Sequence, residues 1–153
     1  MQLSNFIKPN LVWSDLKADN KQAIIREIAG NISLQKTFLS TSLITDILLK
    51  REELGSTGIE DGVAIPHAKM EQVDEPILAI ARSKNGIDFH AHDGNPTFLF
   101  FVLLAPTKSS TAHLKLLARL SRLLKSPGLR KNLLNAADSL AIYNKILDED
   151  KKL

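Results

Sequence analysis

The segment "TFLFFVLLAP", residues 97–106, is apolar at nearly every position. A half-buried strand or a surface helix would show polar residues at its own period, and this stretch shows none. The run is far too short to span a bilayer. What remains is a β-strand covered on both faces. The rest of the chain must therefore supply a layer above it and a layer below it.

Candidates for those layers lie on either side in the sequence. "NKQAIIREIAGNI" carries Ala23, Ile24, Ile28 and Ala29 at helical spacing. "STSLITDILLKREELG" reads as a second helix, with Ser40 or Ser42 placed to cap it and Gly55 to end it. "GVAIPHAK" and "PILAIARS" are short and apolar, as strands are. After the apolar run the period changes. "TAHLKLLARLSRLLK" places Leu114, Leu117, Leu120 and Leu124 on one face and Lys115, Arg119 and Arg122 on another. Two further helices are expected from Gly128 to Ala137 and from Ser139 to Leu147. Helices, then strands, then helices is the order of an α/β fold whose sheet is covered on both sides.

The 153 residues suit one domain, taken as 1–153, with no repeat or linker to divide it. No cysteine is present, so disulfides and thiolate metal sites are excluded. The start lacks the succession of a signal peptide, and no membrane-spanning stretch is visible, so the expected location is the cytoplasm. A net charge of +3 is too mild to argue for nucleic-acid binding.

Chemistry concentrates in "REELGSTGIEDGVAIPHAK", residues 51–69. Pro66 biases Ile65 toward extended geometry. In a strand, Val63, Ile65 and His67 share one face, so two apolar residues anchor a histidine at the end. That suits a nucleophile or a ligand; a structural histidine at a strand end is the competing reading. Arg51 lies seven residues after Ile44, on the stripe that Ile47 and Leu48 continue. A cation there either snorkels past the helix end or serves a site. Ser56 and Thr57 add hydroxyl donors, and Gly55, Gly58 and Gly62 permit close approach of backbone N–H groups. Together these are what a phosphoryl group requires, although an ordinary turn reads the same way. His113 falls in the first turn of its helix, where the dipole favours an anion. A partly exposed polar residue at a helix start is the alternative.

These residues carry a resemblance. "REELGSTGIEDGVAIPHAK", then "DGNPTFLFFVLLAP", then "HLKLLARLSRLL", closely resembles the IIA domain of the bacterial phosphotransferase system. The resemblance is to the fructose/mannitol type and its nitrogen-related, stand-alone branch, and it spans nearly the whole chain. The resemblance implies a three-layer sandwich, a mixed β-sheet between helical layers. It implies that His67 accepts a phosphoryl group from a histidine-containing phosphocarrier protein. It implies that His113 supports the site and that Arg51 is its arginine. No cofactor or metal is required. Partners would be the phosphocarrier as donor and a regulatory target or a IIB protein as acceptor. The absence of fused modules favours the regulatory branch over a transport-coupled IIA. Three departures stand out: Glu60-Asp61 where the family commonly has Gly-Asn, Ala68 where it often has Gly, and "FHAHDG", whose His90 and His92 fall in a stretch variable in the family and are expected to have no phosphoryl role.

On this reading His67 is the covalent acceptor, Arg51 a clamp on phosphoryl oxygens, His113 a hydrogen-bonding support, and Ser56 and Thr57 weaker oxygen contacts. Asp61, carried by a glycine-rich loop, is expected near the phosphoryl group, where it would oppose phosphorylation. Two readings from other classes remain. "FHAHD" could ligate a metal through His90 and His92, with Asp93 or His67 as third ligand. Alternatively, Glu60 and Asp61 could mark a binding module with an inactive site.

Overall fold

The computed structural model describes residues 2–153. Its order is β1 (Ile7–Trp13), α1 (Lys21–Gln35), α2 (Thr41–Glu53), β2 (Val63–Ala64), β3 (His67–Met70), β4 (Ile77–Ile87), β5 (Thr97–Pro106), α3 (Ser110–Leu123), α4 (Pro127–Leu134) and α5 (Ser139–Asp150), preceded by a 3-10 turn at Leu3–Asn5. The sheet runs β1-β4-β5-β2, with β3 following β2 along the same side of β5. β1 is parallel to β4, β4 antiparallel to β5, and β2 and β3 parallel to β5. The sheet is mixed, as expected.

β5 is covered on both faces. Phe100, Val102 and Leu104 pack with Ala79 and Ala81 of β4 against Ile24 and Ile28 of α1 and Ile44 and Leu48 of α2. Leu99, Phe101 and Leu103 pack with Leu78 and Ile80 against Leu116 and Leu120 of α3, Leu133 of α4 and Ile142 and Ile146 of α5. The strand's period of two splits one continuous apolar run between two cores. Three layers follow. Among the described residues no helix is long and apolar enough to cross a membrane.

Three sequence expectations need correction. The order does not begin with helices: β1 was not foreseen. "IKPNLVW" has no alternation, because Lys8, Pro9 and Asn10 are exposed and the pairing register with β4 shifts between Ile7 and Val12. An edge strand tolerates such an interruption. The α3 stripe is also rotated. His113, Leu116, Leu120 and Leu123 face inward, whereas Leu114 is 64% exposed. A leucine-rich helix offers two overlapping stripes, and contact with the sheet selects one. Lastly, "GVAIPHAK" is two short strands, broken at Ile65-Pro66. Proline has no N–H for a ladder, so the break falls on the edge strand where it costs least.

Two buried charges lock the layers. Arg82 of β4 is 2% exposed and donates to the carbonyls of Ser14 (3.0 Å), Leu133 (2.9 Å) and Ala136 (2.7 Å), holding the end of α4 to the sheet. Asp150, 1% exposed, accepts from Arg119 Nε of α3 (2.6 Å) and from the Leu3 N–H (2.8 Å). Asp150 thereby fixes α3, which carries His113, to α5 and to the N-terminal turn. Asp150→Ala is expected to lower unfolding free energy by roughly 2–4 kcal/mol, because it removes the buried partner of the part-buried Arg119 guanidinium and of the Leu3 N–H. Urea unfolding followed by far-UV circular dichroism measures this; a loss under about 1 kcal/mol would show that the pair contributes little.

Candidate active site

His67 opens β3, opposite Leu103 of β5. Leu103 N–H donates to the Pro66 carbonyl (2.9 Å), so the proline stays tied to the sheet through its oxygen. Val63 and Ile65 enter the core shared with α3, and His67, half-buried, faces the same helix. Its ring centroid lies 5.4 Å from that of His113. His67 Nδ1 is 2.7 Å from the Ile65 carbonyl oxygen. A carbonyl only accepts, so Nδ1 carries the proton of the neutral ring. Nε2 then keeps the lone pair, as a nucleophile must.

His113 is 6% exposed, and its Nδ1 is buried without a partner. A bare lone pair is the less costly group to bury unpaired, which places the ring proton on Nε2, the nitrogen not sealed off. Burial lowers the His113 pKa below 6.5, with lesser contributions from neighbouring His67 and Lys69. Near neutral pH His113 is thus an uncharged donor.

α3 differs from its companions at the end that carries His113. Asn20, Ser40, Ser126 and Asp138 each accept a backbone N–H to cap α1, α2, α4 and α5. Ser109 makes no such bond. Lys69, two residues beyond His67, donates to Ser110 Oγ (3.0 Å) at the same helix end. The sequence reading missed Lys69, although two residues after His67 in a strand it shares that residue's face; a single lysine near a strand end gave no further signal.

Arg51 ends α2, which packs on β3. It is half-buried and donates to the Gly55 carbonyl (3.0 Å). The row of Ile44 and Leu48 continues most deeply not to Arg51 but to Glu52, 8% exposed. Both positions extend the stripe; Glu52 is drawn inside because Lys21 Nζ reaches its Oε1 at 2.9 Å. That ammonium also lies 4.6 Å from the Phe89 ring centroid.

The loop is not an open cradle. The Thr57 hydroxyl donates to Glu52 Oε2 and its N–H to Oε1. The Ser56 hydroxyl donates to the Phe89 carbonyl (2.8 Å) and accepts the Gly58 N–H (3.0 Å). Gly55 and Ile59 N–H groups are also bonded within the loop. Ser56 and Thr57 therefore shape the loop, and neither hydroxyl has a proton left to offer a phosphoryl oxygen. Gly58 serves close approach: a Cβ there would sit 3.0 Å from Ala91 Cα.

Asp61 turns away from the expected position. With φ at 62°, it donates its N–H to Asp93 Oδ2 (3.1 Å) and sets its carboxylate 3.5 Å from Arg130. It lines a hollow with Glu60, His92 and Lys125, and His67 is not among its walls. The metal reading also loses its geometry. His92 Nε2 meets the Ser56 carbonyl (3.1 Å), His90 lies by Asp88, and no cluster of three ligating side chains occurs among the described residues.

Because the folded pKa of His113 lies below its unfolded value of about 6.5, the unfolded chain binds the proton first. Stability is whole above pH 6.5 and falls as pH drops toward the folded pKa. His113→Gln should flatten the slope of stability against pH between 7.5 and 5, read by urea unfolding. An unchanged slope would remove His113 as its source.

The family described as "Phosphoenolpyruvate-dependent sugar phosphotransferase system, EIIA 2" matches residues 5–149. The chain is 35% identical over 144 residues to a nitrogen regulatory protein of Bradyrhizobium diazoefficiens, covering 94% of each. It is 33% identical over 151 residues to the fructose-specific EIIABC component of Bacillus subtilis, covering 99% of this chain and 24% of that protein. The crystal structure of nitrogen regulatory protein IIA-Ntr from Neisseria meningitidis superposes with a TM-score of 0.87 at 26% identity, over 94% of this chain and 98% of that one. This chain belongs to the EIIA 2 family of the phosphoenolpyruvate-dependent sugar phosphotransferase system.

Proposed function

We propose that this protein is a phosphoryl carrier that takes its phosphoryl group on His67 Nε2 and whose phosphorylation state regulates a partner protein. The observation that carries the reading is the His67 Nδ1–Ile65 carbonyl bond, which leaves Nε2 unprotonated beside His113. The donor is a histidine-containing phosphocarrier. Its N–P bond breaks as the Nε2–P bond forms, and the electron pair leaves with the donor's imidazole. Attack makes the His67 ring formally cationic, and the Ile65 carbonyl dipole, aimed at Nδ1–H, offsets that charge.

Phosphoryl transfer needs positioning and charge stabilisation rather than covalent help. His113 Nε2–H would donate to a phosphoryl oxygen. Lys69 and the uncapped start of α3 add positive potential. Arg51 clamps the oxygens by exchanging its exposed bond to Gly55 for them. Ser56 and Thr57 act by holding the loop. A regulatory role is supported by the match to nitrogen regulatory proteins over nearly their whole length. The alternative, transfer to a IIB partner in sugar transport, is supported by the fructose-specific relative.

Incubation with phosphoenolpyruvate, enzyme I and phosphocarrier should add one acid-labile, base-stable phosphoryl group, and His67→Ala should add none. Mass spectrometry under alkaline conditions reads this, and full labelling of that variant would overturn the assignment. Arg51→Lys should slow transfer by roughly 10²-fold, the usual loss when an aligned donor goes, while His90→Ala stays near wild type. Pull-downs with phosphorylated protein and with His67→Ala should recover different partners; recovery of a IIB protein alone would favour transport.

A further inference from the structure

We infer that Glu52 is a positioning residue for His67, acting through Thr57 and Ile65 to decide which ring nitrogen holds the proton. The inference rests on the reading of His67 as phosphoryl acceptor. Glu52 is held on one side by Lys21 (2.9 Å). On the other it takes both the N–H (3.0 Å) and the hydroxyl of Thr57. Two bonds from one carboxylate to one residue fix the orientation of that residue. The Thr57 carbonyl then accepts the Ile65 N–H at 3.0 Å, and the Ile65 carbonyl accepts His67 Nδ1–H at 2.7 Å. Ile59 N–H bonds the Val63 carbonyl (2.8 Å), and Gly58 bridges Ala64, so residues 57–59 pair with 63–65 as a minimal ladder. Thr57 is where that ladder meets α2.

The arrangement matters because Pro66 breaks the edge strand. Between Ala64 and His67 the chain keeps one tie to β5, through the Pro66 carbonyl, and the Ile65 N–H turns to Thr57 instead, so the direction of the Ile65 carbonyl depends on the Thr57 bond together with that tie. A histidine ring free in water favours its proton on Nε2, which would occupy the nucleophilic lone pair. The Ile65 carbonyl reverses that preference. Glu52 is 8% exposed and both carboxylate oxygens are taken by Lys21 and Thr57, so its influence on His67 travels through the backbone. A buried carboxylate unpaired would be costly, which accounts for Lys21, half a helix-pair away in sequence, reaching across to it.

The test compares Glu52→Ala, Glu52→Gln and Thr57→Val. Long-range proton–nitrogen correlation spectra of ¹⁵N-labelled protein at pH 8 report the ring tautomer of His67 with no phosphoryl donor present. Wild type should show Nδ1–H. Glu52→Ala should show a large share of Nε2–H, and its kcat for transfer from phosphocarrier should fall roughly 10- to 100-fold, the cost of a small misplacement. KM for phosphocarrier should stay within about twofold, since the docking surface is untouched. Gln accepts the Thr57 N–H and donates to its hydroxyl oxygen, so Glu52→Gln should restore the Nδ1–H tautomer. Thr57→Val removes one of the two ties and should fall between. Near-ultraviolet circular dichroism checks the fold; if Glu52→Ala is unfolded, Thr57→Val decides. Retention of the wild-type tautomer and kcat in the folded variants overturns the inference. A wild type that keeps the tautomer yet accepts no phosphoryl group would overturn the relay reading and leave Glu52's role in place.

Discussion

Two-sided burial of β5 governs this molecule. A strand with no polar face cannot stand at an edge or under a single layer of helices. It takes β4 on one side and β2 and β3 on the other, and both faces must be roofed. α1 and α2 roof one, α3 to α5 the other. The site then has a determined place. His67 lies on the edge strand, bonded to β5 at Leu103, with the end of α2 on one side of the sheet and the start of α3 on the other. Sequence-distant residues meet there because the layers must enclose β5.

At the site, chemistry follows from where protons and lone pairs are held. Most polar groups of the loop 55–59 are taken up by the segments packed around it, chiefly Glu52, Phe89, Val63, Ile65 and His92. On the proposed function His67 Nε2 and His113 are then the groups that meet a phosphoryl group, with Arg51 and Lys69 joining them by giving up their bonds to Gly55 and Ser110. A loop whose polar groups are already bonded gains rigidity and gives up anion binding, and the proposed function places those two tasks on different segments. On that reading the loop orients His67, while Lys69, Arg51 and the uncapped end of α3 would supply positive charge. The acids beside the loop fit the same division. Asp61 is paired with Arg130 and turned toward α4, so a negative charge six residues from His67 in sequence is directed elsewhere in space.

Much of this was legible in the sequence. The apolar run predicted a strand buried twice over, and the strand found is Thr97–Pro106. Of the two serines placed to cap α2, Ser40 does so. Val63, Ile65 and His67 share a face, and the motif around His67 was sufficient to point to the family. These are local properties: side-chain period, capping chemistry and a contiguous motif are set by neighbours along the chain.

Other features were decided by the tertiary structure. Arg51 and Glu52 both continue one helical stripe, and only Lys21, arriving from α1, selects Glu52 for burial. Leu114 and Leu116 are equally apolar, and the sheet selects Leu116. The hydroxyls of Ser56 and Thr57 look available in sequence, and Glu52 and the Phe89 carbonyl claim them. β1 carries little pattern of its own and becomes a strand because β4 offers an open edge. The physical reason is common to all four. Sequence determines which groups can be buried or bonded, whereas the choice among equivalent candidates depends on a partner distant in the chain, and that partner is brought near only when the layers close.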